Sequence, residues 1–307
     1  MTEVVCAIDC GSNSTRLLIS DSNGQTLCRE MRITRLSQGV DANRTLQKDA
    51  LQRSFDVLSE YRKLMDSFNV SSGLLVATSA VRDASNGDEF ISRAKEITAV
   101  HARVLTGNEE AQFSFSGATA GIAFGTNPIA ILDIGGGSTE LAAMIDGHLE
   151  SYSMQLGCVR VTERTLGRAI VSNENEAAAK EMIQSEVEKA FNEVPGFEKL
   201  VGNVQLMGLA GTVATLAQLD AGLTTYDRDA VHLRSLSREV VEKWYETLKA
   251  LTPEERLSLA GMVPGREDVM ASGLLILGAV MDRLKVKQLL SSENDILDGV
   301  VASLLGA

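Results

Sequence analysis

Residues 131–140 read ILDIGGGSTE: an apolar run, then an aspartate, three glycines, two hydroxyl residues and a glutamate. Residues 7–16, AIDCGSNSTR, repeat the device. With Asp9 set on Asp133, Gly11 falls on Gly135, Ser14 on Ser138, Thr15 on Thr139 and Leu17 on Leu141, 124 residues apart. An internal repeat is the first fact a fold has to accommodate. Both copies put the acid at a strand end and the glycines in a turn. The residues that follow (15–20 and 139–145) have strand character, so each copy predicts a hairpin opening an α/β unit.

Glycine in such a turn admits positive φ and lets backbone N–H groups approach a ligand closely. The amides of Gly11, Asn13, Gly135, Gly136 and Gly137, with the hydroxyls of Ser12, Ser14, Ser138 and Thr139, form a candidate cradle for phosphoryl oxygens. Asp9 and Asp133, at the mouths of the turns, are candidates for a hard cation; hydrogen-bonded capping of the turns is the alternative. Glu140 flanks the second turn and pairs with Asp133 as a metal candidate, whereas Arg16 fills that place in the first copy. An acid in one repeat and a base in the other suggests metal on one side and anion on the other. A Walker A loop needs Gly-Lys-Ser/Thr before a helix, and a dinucleotide fingerprint needs G-x-G-x-x-G opening one; neither is present.

At 307 residues the chain exceeds what one core usually supports, so two domains are expected. A net charge of −12 opposes non-specific binding to nucleic-acid polymers or anionic membranes, and 4% aromatic residues argue against base-stacking platforms. Arginine outnumbers lysine 19 to 10, which fits either a local anion site or codon bias. Cys6, Cys10, Cys28 and Cys158 form no C-x-x-C pair, and His101, His148 and His232 are scattered. Reduced thiols, no zinc site and a cytoplasmic location are expected. The start MTEVVCAIDC lacks a basic leader, and no apolar run reaches the ~20 residues of a membrane span.

Periodicity predicts strands at 4–8, 16–20, 26–35, 73–80 and 101–105, and helices at 46–68, 88–96 and 107–122. On the long helix Leu51, Phe55, Leu58 and Met65 recur at helical spacing. The pattern restarts at Pro128 with strands at 129–133, 140–145 and 148–154, the latter two joined by an Asp146-Gly147 turn. Helices follow at 174–192, 213–219, 236–250 and 268–284, with a strand at 204–211. A tight boundary is expected at 120–128. Thr106 and Glu109 match a helix capping box. The turn GLAGTVATLA (208–217) suits either a phosphate or strand–helix packing. Arg29, Arg44 and Arg53 are expected to be solvated.

AIDCGSNSTRLLI (7–19), ATSAVRDASN (77–86), LTGNEEA (105–111), LDIGGGSTEL (132–141), GLAGTVATLA and PGREDVMASG (264–273) together resemble the exopolyphosphatase/guanosine pentaphosphate phosphohydrolase (Ppx/GppA) family of the acetate kinase–Hsp70–actin superfamily. The resemblance spans nearly the whole chain. It implies an α/β fold of duplicated ribonuclease-H-like (actin-like ATPase) domains, 1–122 completed by a returning helix from 292–307, and 123–291. It also implies an active site in the cleft between them.

Glu110 is implied as the base for the attacking water, with Arg82 and Arg266 as the other catalytic residues. Mg²⁺, or alternatively Mn²⁺, is implied at Asp133, Glu140 and Asp9, and a monovalent cation stays open. The expected reaction is release of terminal orthophosphate from inorganic polyphosphate. Guanosine pentaphosphate (pppGpp) hydrolysis is the near alternative, and an ATP-binding kinase or nucleotide-gated module the distant one. Relatives admit a homodimer. The chain resembles the short two-domain form, for which weaker processivity on long polyphosphate is expected. It carries Leu297 where many relatives carry arginine.

Overall fold

The computed structural model describes residues 3–122 and 127–306. Contacts divide the chain into two units, Met1–Gly117 with Asp295–Ala307, and Ala118–Asn294. Of the boundary stretch expected at 120–128, residues 123–126 lie outside the described residues.

In the first unit β1 (Val4–Cys10), β2 (Ser14–Asp21) and β3 (Thr26–Ile33) make an antiparallel meander. Helices α1 (Val40–Asn43) and α2 (Lys48–Ser67) lead to β4 (Ser72–Ala77). Then α3 (Ser79–Arg82) and α4 (Gly87–Thr98) lead to β5 (His101–Val104), and α5 (Gly107–Thr119) follows. The sheet order is β3-β2-β1-β4-β5, with β4 parallel to both β1 and β5. The strand expected to reach Ala80 ends at Ala77, whose partner Cys10 is the last residue of β1. Beyond it there is no ladder to extend, and 79–82 wind into helix.

The second unit repeats the plan. Strands β6 (Ile129–Ile134), β7 (Thr139–Ile145) and β8 (His148–Met154) form the meander, followed by α6 (Cys158–Val161) and α7 (Asn173–Glu193). Next come β9 (Gln205–Leu209), α8 (Ala210–Ala221), α9 (Arg228–Val231), β10 (Ser235–Ser237), α10 (Arg238–Lys249), α11 (Pro253–Leu257), α12 (Met270–Leu284) and β11 (Gln288–Ser291). The order β10-β11-β9-β6-β7-β8 matches the first sheet position for position, with β10 as an extra edge. Asp146 and Gly147 both adopt positive φ, as a two-residue I′ turn between β7 and β8 requires.

Two strands escaped the periodicity. β10 has three residues and β11 has four, too short for an alternation to register. The helix expected from Leu236 begins only at Arg238, where the Ser237 hydroxyl accepts from the Val240 amide. Conversely α8 starts at Ala210 (φ 61°), three residues before the expected Val213.

The last helix, α13 (Ile296–Leu305), belongs to the first unit. Side chains alternate across a strand, and β1 shows which side it covers. Cys6, Ile8 and Cys10 join Leu58, Tyr61, Met65 and Phe90 of α2 and α4 in one core. Val5 and Ala7 join Leu297, Val300 and Val301 of α13 in another, with Leu18 of β2. Leu297 is thus fully buried core. By the same parity Asp9 on β1 and Arg16 on β2 lie on the α13 face. Arg29 does too, as the register partner of Leu18.

Candidate active site

The two glycine turns share one backbone geometry. The Gly11 amide donates to the Ser14 carbonyl at 3.0 Å, and the Gly135 amide to the Ser138 carbonyl at 3.0 Å. Neither Gly11 nor Gly135 has the positive φ expected of it. Space is the requirement instead, because a Cβ on either would stand 3.1 Å from that serine carbonyl.

Each turn is also held from behind by its carbonyls. In the second unit the amides of Cys158, Val159 and Arg160 donate to the carbonyls of Gly135 and Gly136, and Arg160 Nε donates to that of Gly137 at 2.8 Å. Peptide groups are planar and trans, so the amides of Gly136, Gly137 and Ser138 point to the opposite side, away from α6. In the first unit the amides of Thr34 and Arg35 hold the Asn13 carbonyl and that of Ser37 holds Ser12. The amides of Asn13 and Ser14 accordingly face away from this loop. Thr15 and Thr139 are fully buried and fasten the hairpins, to the Thr34 hydroxyl at 3.0 Å and the Leu156 carbonyl at 2.5 Å.

Around the first turn the structure gathers residues from three elements. Ser12 Oγ lies 3.0 Å from Ser79 Oγ at the start of α3. The same short helix carries Arg82, whose Nη1 donates to Glu110 Oε2 at 3.3 Å and to the Leu105 carbonyl at 2.8 Å. Glu110 is 8% exposed. Its neighbour Glu109 has the capping work: it accepts from the Thr106 amide at 2.9 Å, and Thr106 Oγ1 accepts from the Glu109 amide. Asn13 Nδ2 is buried with no hydrogen-bond partner among the described residues, a donor aimed from the turn itself. Ser79 escaped the motif reading because a serine in a strand-to-helix turn has no spacing of its own.

Asp9 and Arg16 are direct partners across β1 and β2. Arg16 Nε and Nη2 donate to Asp9 Oδ2 at 3.1 and 2.6 Å, and Nη1 to Asp295 at the head of α13. Burial raises the Asp9 pKa above the usual carboxylate value, with Arg16 pulling the other way. Burial also works against the Asp295 charge, but Arg16 and Arg29 outweigh it and hold its pKa low. Arg29 is not solvated: it pairs with Asp295 and Asp298, both at 3.0 Å. Arg53 likewise donates to the Thr34 carbonyl, whereas Arg44 is exposed.

In the second unit Asp133 and Glu140 are direct partners on β6 and β7, so their side chains share a face. They are 7% and 0% exposed, and Ser153 donates to Glu140 Oε1 at 2.6 Å. Arg266 is 8% exposed, and its guanidinium lies against Gly211 in the first turn of α8, where a Cβ would meet Nη1 at 1.6 Å. It also lies beside Cys158, whose thiol burial pushes up to about 11 while Arg266 and Thr212 oppose the rise. Val269 packs on Cys158 and Val159. The second glycine turn, α6, the start of α8 and Arg266 therefore form one cluster, and the 208–217 turn is part of it. A groove of about 430 Å³ between α7, α10 and α12 contains none of these residues.

Among the described residues no cluster of three or more histidine, cysteine, aspartate or glutamate side chains is placed to hold a metal. The donor set still fits Mg²⁺. That ion takes one or two carboxylates and completes its shell with waters and substrate phosphates. Asp133 and Glu140 supply two buried carboxyl groups on one face. Asp9 Oδ1 is buried without a hydrogen-bond partner among the described residues.

Residues 17–307 match the model of the Ppx/GppA phosphatase family. The chain belongs to this family. It is 36% identical to exopolyphosphatase 2 of Mycobacterium tuberculosis over 98% of both chains. Among solved structures it resembles an exopolyphosphatase-like protein (30% identity, TM-score 0.92, 99% of each chain). It also resembles the Aquifex aeolicus Ppx/GppA family member (28% identity, TM-score 0.78, 99% of this chain and 98% of that one). The mixed α/β plan with two sheets is the actin-like ATPase fold of these phosphatases. Among the described residues no helix is long and apolar enough to cross a membrane.

Proposed function

We propose that the protein is an exopolyphosphatase, releasing terminal orthophosphate from inorganic polyphosphate. The observation that carries this reading is the pair of turns with their carbonyls tied back and their amides turned outward, which suits a repeating chain of phosphoryl oxygens. In this reading the amides of Asn13, Ser14, Gly136, Gly137 and Ser138 hold phosphate oxygens, with the Asn13 amide group and Arg266 as further donors.

Glu110 accepts a proton from water as the water oxygen attacks the terminal phosphorus. The bond to the bridging oxygen breaks, giving orthophosphate and a chain one unit shorter. Arg82, bound to Glu110, keeps that carboxylate aimed. Asp133 and Glu140, with Asp9, would hold Mg²⁺, which when bound neutralises phosphate charge. On a protein of net charge −12 a polyanion needs such compensation. Positioning and electrostatics supply most of the rate. We place the enzyme in the cytoplasm, where its four free thiols stay reduced.

Phosphate release from polyphosphate, pppGpp and ATP, measured side by side with and without Mg²⁺, tests the reading. The highest kcat/KM is expected on polyphosphate with Mg²⁺. A clear preference for pppGpp would move the assignment to the pentaphosphate, and turnover of ATP alone would overturn it.

A further inference from the structure

Asp9, Arg16, Asp295, Arg29 and Asp298 form a line of alternating charge on the α13 face of the first sheet. Three acids and two bases leave the line with one negative charge in excess. Arg16, flanked by two carboxylates, is offset and is a poor attractor for an incoming anion. Its geometry suggests a different job. Both bonds from Arg16 to Asp9 end on Oδ2, fixing the carboxylate with its other oxygen, Oδ1, clear of any hydrogen bond among the described residues. The planar guanidinium is held in turn on its far edge by Asp295 Oδ2. Asp295 is itself immobilised, because its Oδ1 accepts from the Leu297 amide at 2.9 Å and from Arg29. Asp298 accepts from the Asp295 amide at 2.8 Å.

We infer that Asp295 is a positioning residue of this site: through Arg16 it sets the orientation of Asp9 and keeps Oδ1 presented to the reaction. The inference rests on the reading that Asp9 serves the phosphate chemistry. Loss of Asp295 leaves one edge of Arg16 without its carboxylate, so Arg16 can turn and Asp9 with it. Misplacement of a reacting group by about 1 Å costs on the order of 10²-fold in rate.

The test is Asp295→Asn in the full chain. Asparagine still accepts the Leu297 amide and is as good a helix N-cap, so α13 keeps its start while the charge pairing with Arg16 is lost. The expected result is a kcat on polyphosphate lowered about 10- to 100-fold, with KM within about threefold. Asp298→Asn is the structural control: it weakens the docking of α13 through Arg29 without touching Arg16, and is expected to lower Tm but keep kcat within about twofold. A D295N enzyme with wild-type kcat overturns the inference, as does an equal loss of kcat in D298N. Crystal structures of wild type and D295N give a readout independent of turnover: an Asp9 carboxylate unmoved within about 0.5 Å overturns the inference even if the substrate assignment fails. A wild type inactive on polyphosphate sinks that assignment alone.

Discussion

Arg82 Nη1 donates to Glu110 Oε2 at 3.3 Å, joining two residues 28 positions apart that enter from different helices. One is held by the carbonyl of Leu105, the other by the first turn of α5. Glu110→Gln preserves shape and removes the base. It is expected to lower kcat by about 10²–10⁴ with a small change in KM. Initial rates of phosphate release decide it, and near-normal turnover would remove Glu110 from the reaction.

Asp133 and Glu140 predict how the enzyme responds to metal removal. A chelator should abolish phosphate release, and Mg²⁺ should restore it. Mg²⁺ should also raise the Tm of the wild type, since an ion bound only by the folded state stabilises it by mass action. In Glu140→Gln that Tm shift should shrink and the Mg²⁺ needed for half-maximal rate should rise by about tenfold or more. An unchanged Mg²⁺ dependence places the ion elsewhere.

Two glycines in the second unit should fail in different ways. A Cβ at Gly157 would stand 2.3 Å from the Gly136 carbonyl oxygen and 2.5 Å from the Gly137 nitrogen, backbone that cannot step aside. Gly157→Ala should therefore destabilise by about 1–3 kcal/mol and distort the turn. At Gly211 the obstacle is the end of the Arg266 side chain, which can swing away. Gly211→Ala should keep Tm within a few degrees yet lower kcat/KM about tenfold or more, because Arg266 is displaced. Denaturant midpoints beside kinetics separate the two cases.

Glu109 predicts a pH effect on stability. The Thr106 amide, followed by Arg103, holds its carboxyl down to about 2 against a usual 4.5. A lowered folded-state value means the stabilisation is complete above about pH 4.5 and is lost as pH falls through about 2. With a third of the side chain exposed, solvent screening limits it to about 1 kcal/mol. Urea midpoints of wild type and Glu109→Gln should differ at pH 7, and that difference should shrink below about pH 4.5 and be largely gone by about pH 2.

What was legible in the sequence was whatever repeats or has a period. The duplicated Asp-Gly-Ser/Thr stretch gave both hairpins, and their pairing of Asp9 with Arg16 and Asp133 with Glu140 follows from the register alone. The capping box likewise separated Glu109 from Glu110. Contacts closed by tertiary packing left no such trace. Asp295 carried no signal of its own in the sequence; it caps α13, and the docking of that helix on the sheet sets it beside Arg16 and Arg29. The role of Gly11 and Gly135 was misread because a glycine looks the same whether it supplies positive φ or vacates space for a carbonyl. Arg29 was misread because its partners lie some 270 residues on, where no local pattern reports them.

The first sheet receives its cover from α13 only after residues 118–294 have been synthesised. During translation Val5, Ala7, Leu18 and Val76 therefore wait as an uncovered apolar surface, while the second unit has its whole chain and can fold. Maturation of the first unit is thus tied to a stretch of chain made only after the whole of the second unit, and a ribosome stalled before Asp295 yields a sheet with all its strands but without its α13 cover, a surface prone to aggregate.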